Sequence, residues 1–264
     1  MCGDRAASYA QLMRLLITGL KGTVAPKVAR VFRRHGAEVV GWDRDAVPAE
    51  DKEAAARFLE QTRPDAVCHL AMGSETWAGL LARYSAMNGI PFLFASTAMV
   101  FDATSDGPHR PGDRRTATDD YGAYKIRCED TVIENHPGAI ITRFGWQIDP
   151  DAAGNNMLAH LDVQQAREGK IQASRLWVPA CSFMNDTAEA LWALITERAG
   201  GVFHLDSNAQ DAWTFDRIAR AVKNQFARED WTIEVTESYK HDQRLIGHEN
   251  RIARISDRLP PSCQ

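Results

Sequence analysis

The sequence lacks the features that define several classes of protein. Its 264 residues include only five cysteines, widely spaced and never as Cys-x-x-Cys: Cys2, Cys68, Cys128, Cys181 and Cys263. This pattern favours neither a disulfide framework nor a zinc site, and it fits a reducing cytosol. No apolar run approaches the roughly 18 residues of a membrane span, and the start of the chain has no basic segment followed by an apolar one. We therefore expect a soluble, cytoplasmic protein with no membrane contact.

The sequence also has little clustered charge of one sign. Its 31 Lys and Arg residues stand against 35 Asp and Glu residues, and no basic block is present that would neutralise a run of phosphates. Nucleic acid is therefore not an expected partner. The hydrophobic fraction of 44% and the charged fraction of 25% are typical of a globular protein, and the length allows one large or two small domains.

Short apolar segments alternate with helical patterns in the first part of the chain. The predicted strands cover residues 14–18, 38–43, 66–70, 91–96 and 139–144, and the helices between them lie near 26–36, 49–61, 75–88 and 121–135. Strands that alternate with helices predict a parallel, doubly wound sheet with right-handed crossovers, which is a Rossmann-type α/β fold.

Beyond about residue 148 the alternation becomes less regular. Helical patterns cover residues 155–168, 186–198 and 214–226, and strands are predicted at 201–205 and 231–235. We interpret residues 1–148 as a Rossmann-type domain and residues 149–264 mainly as a smaller lobe. Residues 185–205 are expected to return to the first domain.

A glycine-containing turn joins the first predicted strand to the first predicted helix. Its spacing is Gly19-x-x-Gly22-x-x-Ala25. Small residues here let the backbone approach a pyrophosphate, which the free N–H groups and the dipole of the following helix would bind. Asp43, near the end of the second strand, is placed to accept hydrogen bonds from an adenosine ribose. An ordinary glycine turn is the alternative, but the strand, turn and helix together favour a dinucleotide-binding domain.

The charges beside this turn leave the choice between NAD and NADP open. Asp43 favours NAD because a carboxylate repels a 2′-phosphate, whereas Lys21 and Arg44 would neutralise such a phosphate. Since two basic residues outweigh one acidic residue, we expect a slight preference for NADP. The alternative for either basic residue is a solvated surface charge.

Tyr121 and Lys125 form a second candidate site, on the helix that follows a long polar loop. A phenol is a poor acid-base catalyst at neutral pH, and an ammonium one helical turn away favours its ionised form. Tyr124 has no lysine at that spacing. Ser96 and Thr97 end a predicted strand at the carboxyl edge of the sheet, where a hydroxyl either binds a substrate carbonyl or only caps the strand.

Together these motifs resemble the extended short-chain dehydrogenase/reductases. The glycine turn, the Tyr121-x-x-x-Lys125 pair and the strand end Ser96-Thr97-Ala98-Met99-Val100-Phe101-Asp102 carry the resemblance. Four further segments are similar to the dTDP-4-dehydrorhamnose reductase branch: Pro64-Asp65-Ala66-Val67, Arg143-Phe144-Gly145-Trp146, Gly154-Asn155-Asn156 and Asn250 to Asp257. The matches run in order over nearly the whole chain.

The resemblance implies an NAD(P)-dependent reductase of a keto-sugar linked to a nucleoside diphosphate, with residues 149–264 as the substrate-binding lobe. Tyr121 would protonate the ketone oxygen, Lys125 would hold the nicotinamide ribose and tune Tyr121, and Thr97 would orient the carbonyl. The other implied contacts are Thr23, Val24, Leu70, Ala71 and Met72 with the cofactor, and Met99, Trp146, Asn155 and Asn156 with the substrate. Trp146 has an alternative interpretation as an ordinary core aromatic residue.

The sequence departs from the usual pattern of this family at two places. Ala98 and Met99 stand where the family has an acidic and an aromatic residue, and residues 73–89 replace a longer insertion between two strands. His69 is expected to pack within its strand and not to act as a catalyst. These departures make rhamnose a doubtful product.

Two other functions remain open on the same fold. One is a non-catalytic, dinucleotide-binding regulatory subunit, and the other is a nucleotide-sugar epimerase or dehydratase. The intact Thr97, Tyr121 and Lys125 set favours the reductase over both. The resemblance also implies a homodimer that pairs through the helices at 75–88 and 121–135.

Overall fold

The computed structural model describes residues 13–104, 107–247 and 251–259. The strands in these ranges are β1 (Arg14–Thr18), β2 (Glu38–Trp42), β3 (Ala66–His69), β4 (Phe92–Thr97), β5 (Ile140–Phe144), β6 (Trp146–Ile148), β7 (Ile171–Ser174), β8 (Trp177–Val178), β9 (Cys181–Phe183), β10 (Gly201–Leu205), β11 (Ile233–Thr236) and β12 (His241–Asp242). The helices are α1 (Ala25–Arg34), α2 (Lys52–Thr62), α3 (Glu75–Met87), α4 (Asp120–Asn135), α5 (Met157–Glu168), α6 (Met184–Thr196), α7 (Phe215–Gln225) and α8 (Ile255–Arg258).

Six strands form one parallel sheet, in the order β10-β5-β4-β3-β1-β2. α1 and α6 pack on one face of the sheet, and α2, α3 and α4 pack on the other. Leu15, Leu16 and Ile17 of β1 are all fully buried, because helices cover both faces and every strand residue meets apolar neighbours. The structure therefore confirms the predicted doubly wound, Rossmann-type α/β fold.

Local capping interactions fix where the helices near the sheet edge begin and end. Pro26 lies in the first turn of α1, and Gly36 follows its end with a φ of +84°. The Asp119 carboxylate accepts the backbone N–H groups of Tyr121 and Gly122 at 3.1 and 3.0 Å. Tyr121 consequently lies in the first turn of α4, at the end of the helix that meets the carboxyl edge of the sheet.

The remaining elements form a second, smaller core. Three parallel strand pairs, β6–β9, β7–β11 and β8–β12, accompany α5 and α7. Their buried side chains include Ile148, Leu161, Ile171, Ile218 and Trp231. The strands β6, β7, β8, β9 and β12 were not predicted from the sequence, because strands of two to four residues show little periodicity.

The chain returns to the first sheet after β9. α6 packs on α1, and β10 pairs in parallel with β5, with Gly201 opposite Ile140. The domain boundary at residue 148 and the return of residues 185–205 stay predictions, and this strand pairing is compatible with them.

Part of the predicted tail motif lies outside the described residues. Asn250 falls there, as do Cys2 and Cys263, whereas Asp257 lies in α8 and its carboxylate accepts the Arg254 backbone N–H at 3.1 Å. Within the described ranges, no helix combines the length and the hydropathy that crossing a membrane requires.

Candidate active site

A cavity of about 750 Å³ opens at the carboxyl edge of the parallel sheet. Ligands of open α/β sheets bind at this edge. The cavity brings together every residue that the sequence predicts for the cofactor: Gly19, Lys21, Gly22, Thr23, Val24, Asp43, Arg44, Leu70, Ala71, Met72, Tyr121 and Lys125. Segments far apart in the sequence therefore meet around one space of a size suited to a dinucleotide.

The glycine turn lies in close contact with the chain that follows β3. Gly19 has a φ of +84°, and a Cβ atom there would lie 3.0 Å from the backbone N and Cα of Ala71. The Gly22 N–H donates to the Gly19 carbonyl at 2.8 Å, and α1 begins three residues later. A side chain at either glycine would crowd the turn, so the small residues leave the start of α1 accessible to an anion.

The buried hydroxyl of Thr18, which was not predicted from the sequence, fixes the segment after β3 that lines the cavity. The Thr18 Oγ1 atom accepts the backbone N–H groups of Leu70 and Ala71, both at 3.1 Å. Its own proton is then free to donate to Nδ1 of His69 at 2.8 Å. Burial, with smaller effects of Lys125 and Arg44, lowers the pKa of His69 to about 3. His69 is thus a neutral structural residue of β3, at the position that the sequence predicts.

The basic residues beside the end of β2 already have partners. Lys21 Nζ lies 2.7 Å from Asp45 Oδ2 and 3.5 Å from Asp43 Oδ1, and hydrogen bonding to Asp45 followed by the charge of Asp43 raises the pKa of Lys21. Arg44 donates to the Met72 carbonyl at 3.2 Å, and its guanidinium lies 5.9 Å from the ring centroid of Trp77. Asp43 and Asp45 both lie within ion-pair distance of Lys21, whereas the guanidinium of Arg44 bonds to a backbone carbonyl.

Tyr121 and Thr97 meet where α4 passes the end of β4. The Thr97 Oγ1 atom accepts the Met99 backbone N–H at 3.1 Å, which fixes the hydroxyl beside the phenol. Burial raises the pKa of Tyr121, and the neighbouring Thr97 side chain opposes this effect only in part. The Tyr121 phenol is accordingly protonated at neutral pH and able to donate a proton.

Lys125 bonds to the backbone of β4, and its effect on the pKa of Tyr121 stays a prediction. Its Nζ atom donates to the Ala95 carbonyl at 2.8 Å and lies 4.8 Å from the ring centroid of Phe94. Burial lowers the pKa of Lys125 to about 8. The backbone of β4 therefore holds the ammonium in place.

The predicted substrate residues do not all lie together. Trp146 lines a separate cavity of about 290 Å³ in the smaller core, where its ring centroid lies 6.0 Å from that of Phe215 and 6.2 Å from that of Trp177. Asn155 instead lines the larger cavity, and its backbone N–H donates to Thr23 Oγ1 at 3.0 Å. The structure thus separates two residues that the sequence predicts on one ligand.

Asn156 is a helix cap in place of the predicted substrate contact. Its buried side chain accepts the Ala159 backbone N–H at 3.2 Å and donates to the Ala152 carbonyl at 2.7 Å. These two bonds fix the start of α5. Met99, by contrast, is 43% exposed beside Thr97 and remains available to a ligand.

Comparison with known proteins gives the family. The sequence model of the RmlD substrate binding domain matches residues 13–76 and 74–245. The chain belongs to this RmlD family. A dTDP-4-dehydrorhamnose reductase of Burkholderia thailandensis is 30% identical over 226 residues, which cover 76% of this chain and 75% of the relative. The resemblance predicted from the motifs is therefore confirmed.

Solved structures share the fold of this RmlD family member. A dTDP-4-dehydrorhamnose reductase of Bacillus anthracis in complex with NADP superposes with a TM-score of 0.77, at 16% identity, over 90% of this chain and 91% of that chain. The Bordetella bronchiseptica enzyme WbmH in complex with NAD+ has a TM-score of 0.72 at 18% identity and covers 87% of this chain and 88% of that chain. At these identities the likeness establishes the fold.

Several residues at the RmlD-type cavity were not predicted from the sequence. Asp45 and Trp77 line it, and Thr18 bonds to the backbone of Leu70, which also lines it. Thr18 ends β1, so its position at a strand end, next to the glycine turn, was the available signal. The sequence around Trp77 does not distinguish it from a core residue, because its ring reaches the cavity only through the packing of α3.

Replacing Thr18 with valine tests the role of the buried hydroxyl. The Leu70 and Ala71 N–H groups would lose their acceptor, so we expect the free energy of unfolding to fall by about 1–3 kcal/mol. Urea denaturation measures the change. The Thr18→Ser variant keeps the oxygen and should retain most of the stability. Equal losses in both variants would show that packing of the methyl group matters and the hydrogen bonds do not.

Proposed function

We propose that this chain is an NAD(P)-dependent reductase of a keto-sugar linked to a nucleoside diphosphate. The observation that carries the proposal is the placement of Tyr121 and Lys125, one turn apart on α4, in the lining of a cavity that also contains the glycine turn. The activity named for the Burkholderia thailandensis relative is of the same class.

The large cavity fits a dinucleotide through its own residues. Gly19 and Gly22 leave room for a pyrophosphate at the start of α1, and the Asp43 carboxylate lies where an adenosine ribose needs an acceptor. Lys125, at the other end of the cavity, carries an ammonium suited to ribose hydroxyls. The chemistry that NAD(P) supplies when bound is hydride transfer to the substrate carbonyl carbon.

The protein supplies the proton and the orientation for the reduction. Tyr121 holds its phenolic proton at neutral pH, because burial raises its pKa, and it would pass this proton to the carbonyl oxygen. The Thr97 hydroxyl, fixed by the Met99 N–H, would orient the same oxygen. Lys125 keeps a positive charge near the site at neutral pH, since its pKa is lowered only to about 8.

The smaller cavity would take part of the nucleotide-sugar. Trp146, Trp177, Phe215 and Tyr239 give it an aromatic lining, and Gln172 is among the polar residues at the same wall. Aromatic faces with a few amide and hydroxyl groups suit a ligand that has both rings and hydroxyls. We assign Trp146 to the substrate on this basis.

We further propose that the chain forms a homodimer and is located in the cytoplasm. α3 and α4 pack side by side on one face of the sheet, and Met87 and Ile133 on them are 81% and 41% exposed. Apolar side chains exposed on adjacent helices support pairing through this face.

The Gly22→Val variant tests cofactor binding. A Cβ atom at Gly22 would already lie 3.1 Å from the Gly19 carbonyl, so a branched side chain has to extend into the space meant for the pyrophosphate. We expect dinucleotide binding to be lost while the protein stays folded. Quenching of tryptophan fluorescence measures it, because Trp42 and Trp77 line the cavity.

Gly112→Val is the matched control for this measurement, since a Cβ atom there meets nothing within 4 Å. An unchanged titration in folded Gly22→Val protein would contradict the assignment of the glycine turn.

The Arg44→Ala variant tests the preference between cofactors. Asp43 and Asp45 already offset the charge of Lys21, so Arg44 is the residue proposed to contact a 2′-phosphate. We expect the affinity for NADP to fall more than the affinity for NAD. Parallel titrations with both cofactors decide the point. Equal losses would remove the slight NADP preference.

The Tyr121→Phe variant tests the catalytic assignment. It removes only a hydroxyl, so we expect fold and cofactor affinity to be retained and kcat to fall by about 10²–10⁴-fold, as for loss of a general acid. Tyr84→Phe is the control, because the Tyr84 hydroxyl donates to the Leu59 carbonyl of α2. Tyr124→Phe is a poorer control, since the Tyr124 oxygen accepts the Gly73 N–H at 3.1 Å. Wild-type turnover by Tyr121→Phe on a nucleotide-linked keto-sugar would disprove the assignment.

A further inference from the structure

Three consecutive residues at the end of β4, Ala95, Ser96 and Thr97, meet one face of α4. The Ala95 carbonyl accepts from Lys125 Nζ at 2.8 Å, and the Thr97 side chain lies near enough to Tyr121 to act on the phenol's pKa. Between them, the Ser96 hydroxyl donates to Glu129 Oε1. Tyr121, Lys125 and Glu129 are spaced by four residues, so they form a single stripe along the helix. Tyr121 and Lys125 belong to the proposed reaction, and Glu129 is the third residue of the stripe.

Glu129 is the centre of a buried ionic cluster. It is fully buried, and Arg143 of β5 donates to it through Nε at 2.9 Å and through Nη2 at 2.7 Å. Arg115, from the loop before α4, donates to the second carboxylate oxygen at 3.1 Å. Burial acts to raise the pKa of Glu129, but Arg143, Ser96 and Arg115 together hold it below its usual value. The carboxylate is therefore charged, and it connects α4 to β4, β5 and the loop.

We propose that Glu129 is a positioning residue that holds the Tyr121 and Lys125 face of α4 against the end of β4. This proposal rests on the proposed reductase function. Through Ser96 and Arg143, Glu129 fixes where α4 lies along β4, and hence the distance between Tyr121 and Thr97. Its negative charge, one turn from Lys125, also stabilises the buried Lys125 ammonium.

Glu129 acts to raise the pKa of Lys125. Burial lowers the pKa of Lys125 to about 8, whereas Cys128 and Glu129 on the same helix act to raise it. His69 of β3, which also feels this ammonium, is neutral because its own pKa is about 3, and the Tyr124 ring centroid lies 5.7 Å from Nζ, with burial raising the pKa of that phenol. The Cys128 thiol is protonated at neutral pH, since burial raises its pKa. Glu129 is consequently the charged group that favours protonated Lys125, and loss of its charge lowers the pKa of Lys125 further.

NMR titration of lysine ¹³Cε resonances measures this effect without a substrate. The Lys125 resonance is assigned from its absence in Lys125→Met protein. In Glu129→Gln protein, which keeps the shape and removes the charge, we expect the Lys125 midpoint to fall by about one pH unit. Asp130→Asn is the matched control, because Asp130 also pairs with Arg115 but is largely exposed. Its Lys125 midpoint should match that of the wild type.

A second variant keeps the proposal testable if Glu129→Gln does not fold. Arg115→Met removes one of the cations that offset Glu129, so the Lys125 midpoint should move upwards. A Lys125 midpoint that is unchanged in folded Glu129→Gln protein, or that falls in Arg115→Met protein, overturns the electrostatic role.

Turnover measurements test the positioning role separately. In Glu129→Gln we expect kcat to fall by about tenfold or more and the cofactor Kd to rise by less than this, since Lys125 is weakened while the glycine turn lies on other elements. A wild-type kcat overturns this role. If the wild-type chain reduces no nucleotide-linked keto-sugar, the proposed function fails, and the substrate-free titration still decides whether Glu129 controls Lys125.

Discussion

The parallel alignment of six strands is the constraint on which the rest of this structure depends. All β-to-α turns of such a sheet leave from the same edge, so the glycine turn after β1, the segment after β3 and the end of β4 meet there without any direct sequence relation. The return of β10 alongside β5 extends the sheet on the side of the Tyr121 helix. One cavity can then hold a long ligand whose two ends require different chemistry.

Buried polar groups keep this edge in place. Thr18 ties the segment after β3 to the end of β1, and Glu129 ties α4 to the end of β4. In both cases a buried oxygen accepts several donors, and a buried group of this kind is costly to leave unpaired. The cavity walls are thus held by interactions beneath them, and the residues facing the ligand space remain free to bind it.

The charged residues at the two ends of the cavity differ in their exposure to solvent. Near β2, Lys21, Asp43, Asp45 and Arg44 are mostly exposed, so solvent weakens their mutual attraction. Near α4, Lys125 and Glu129 are buried, and each depends on specific neighbours for its charge state. Small changes beneath α4 therefore affect proton chemistry more strongly than equal changes near β2.

The sequence by itself determined the alternation of strands and helices, the glycine turn and the Tyr121–Lys125 pair, because each depends on residues close together in the chain. Only the tertiary structure decided that Asn156 caps a helix, that Trp146 and Asn155 line different cavities, and that Lys125 bonds to the β4 backbone. It also brought Glu129 and Arg143 together across 14 residues. These outcomes depend on which partner lies nearest once the layers pack, and on burial, which sets the charge state of each group; neither can be read from local spacing.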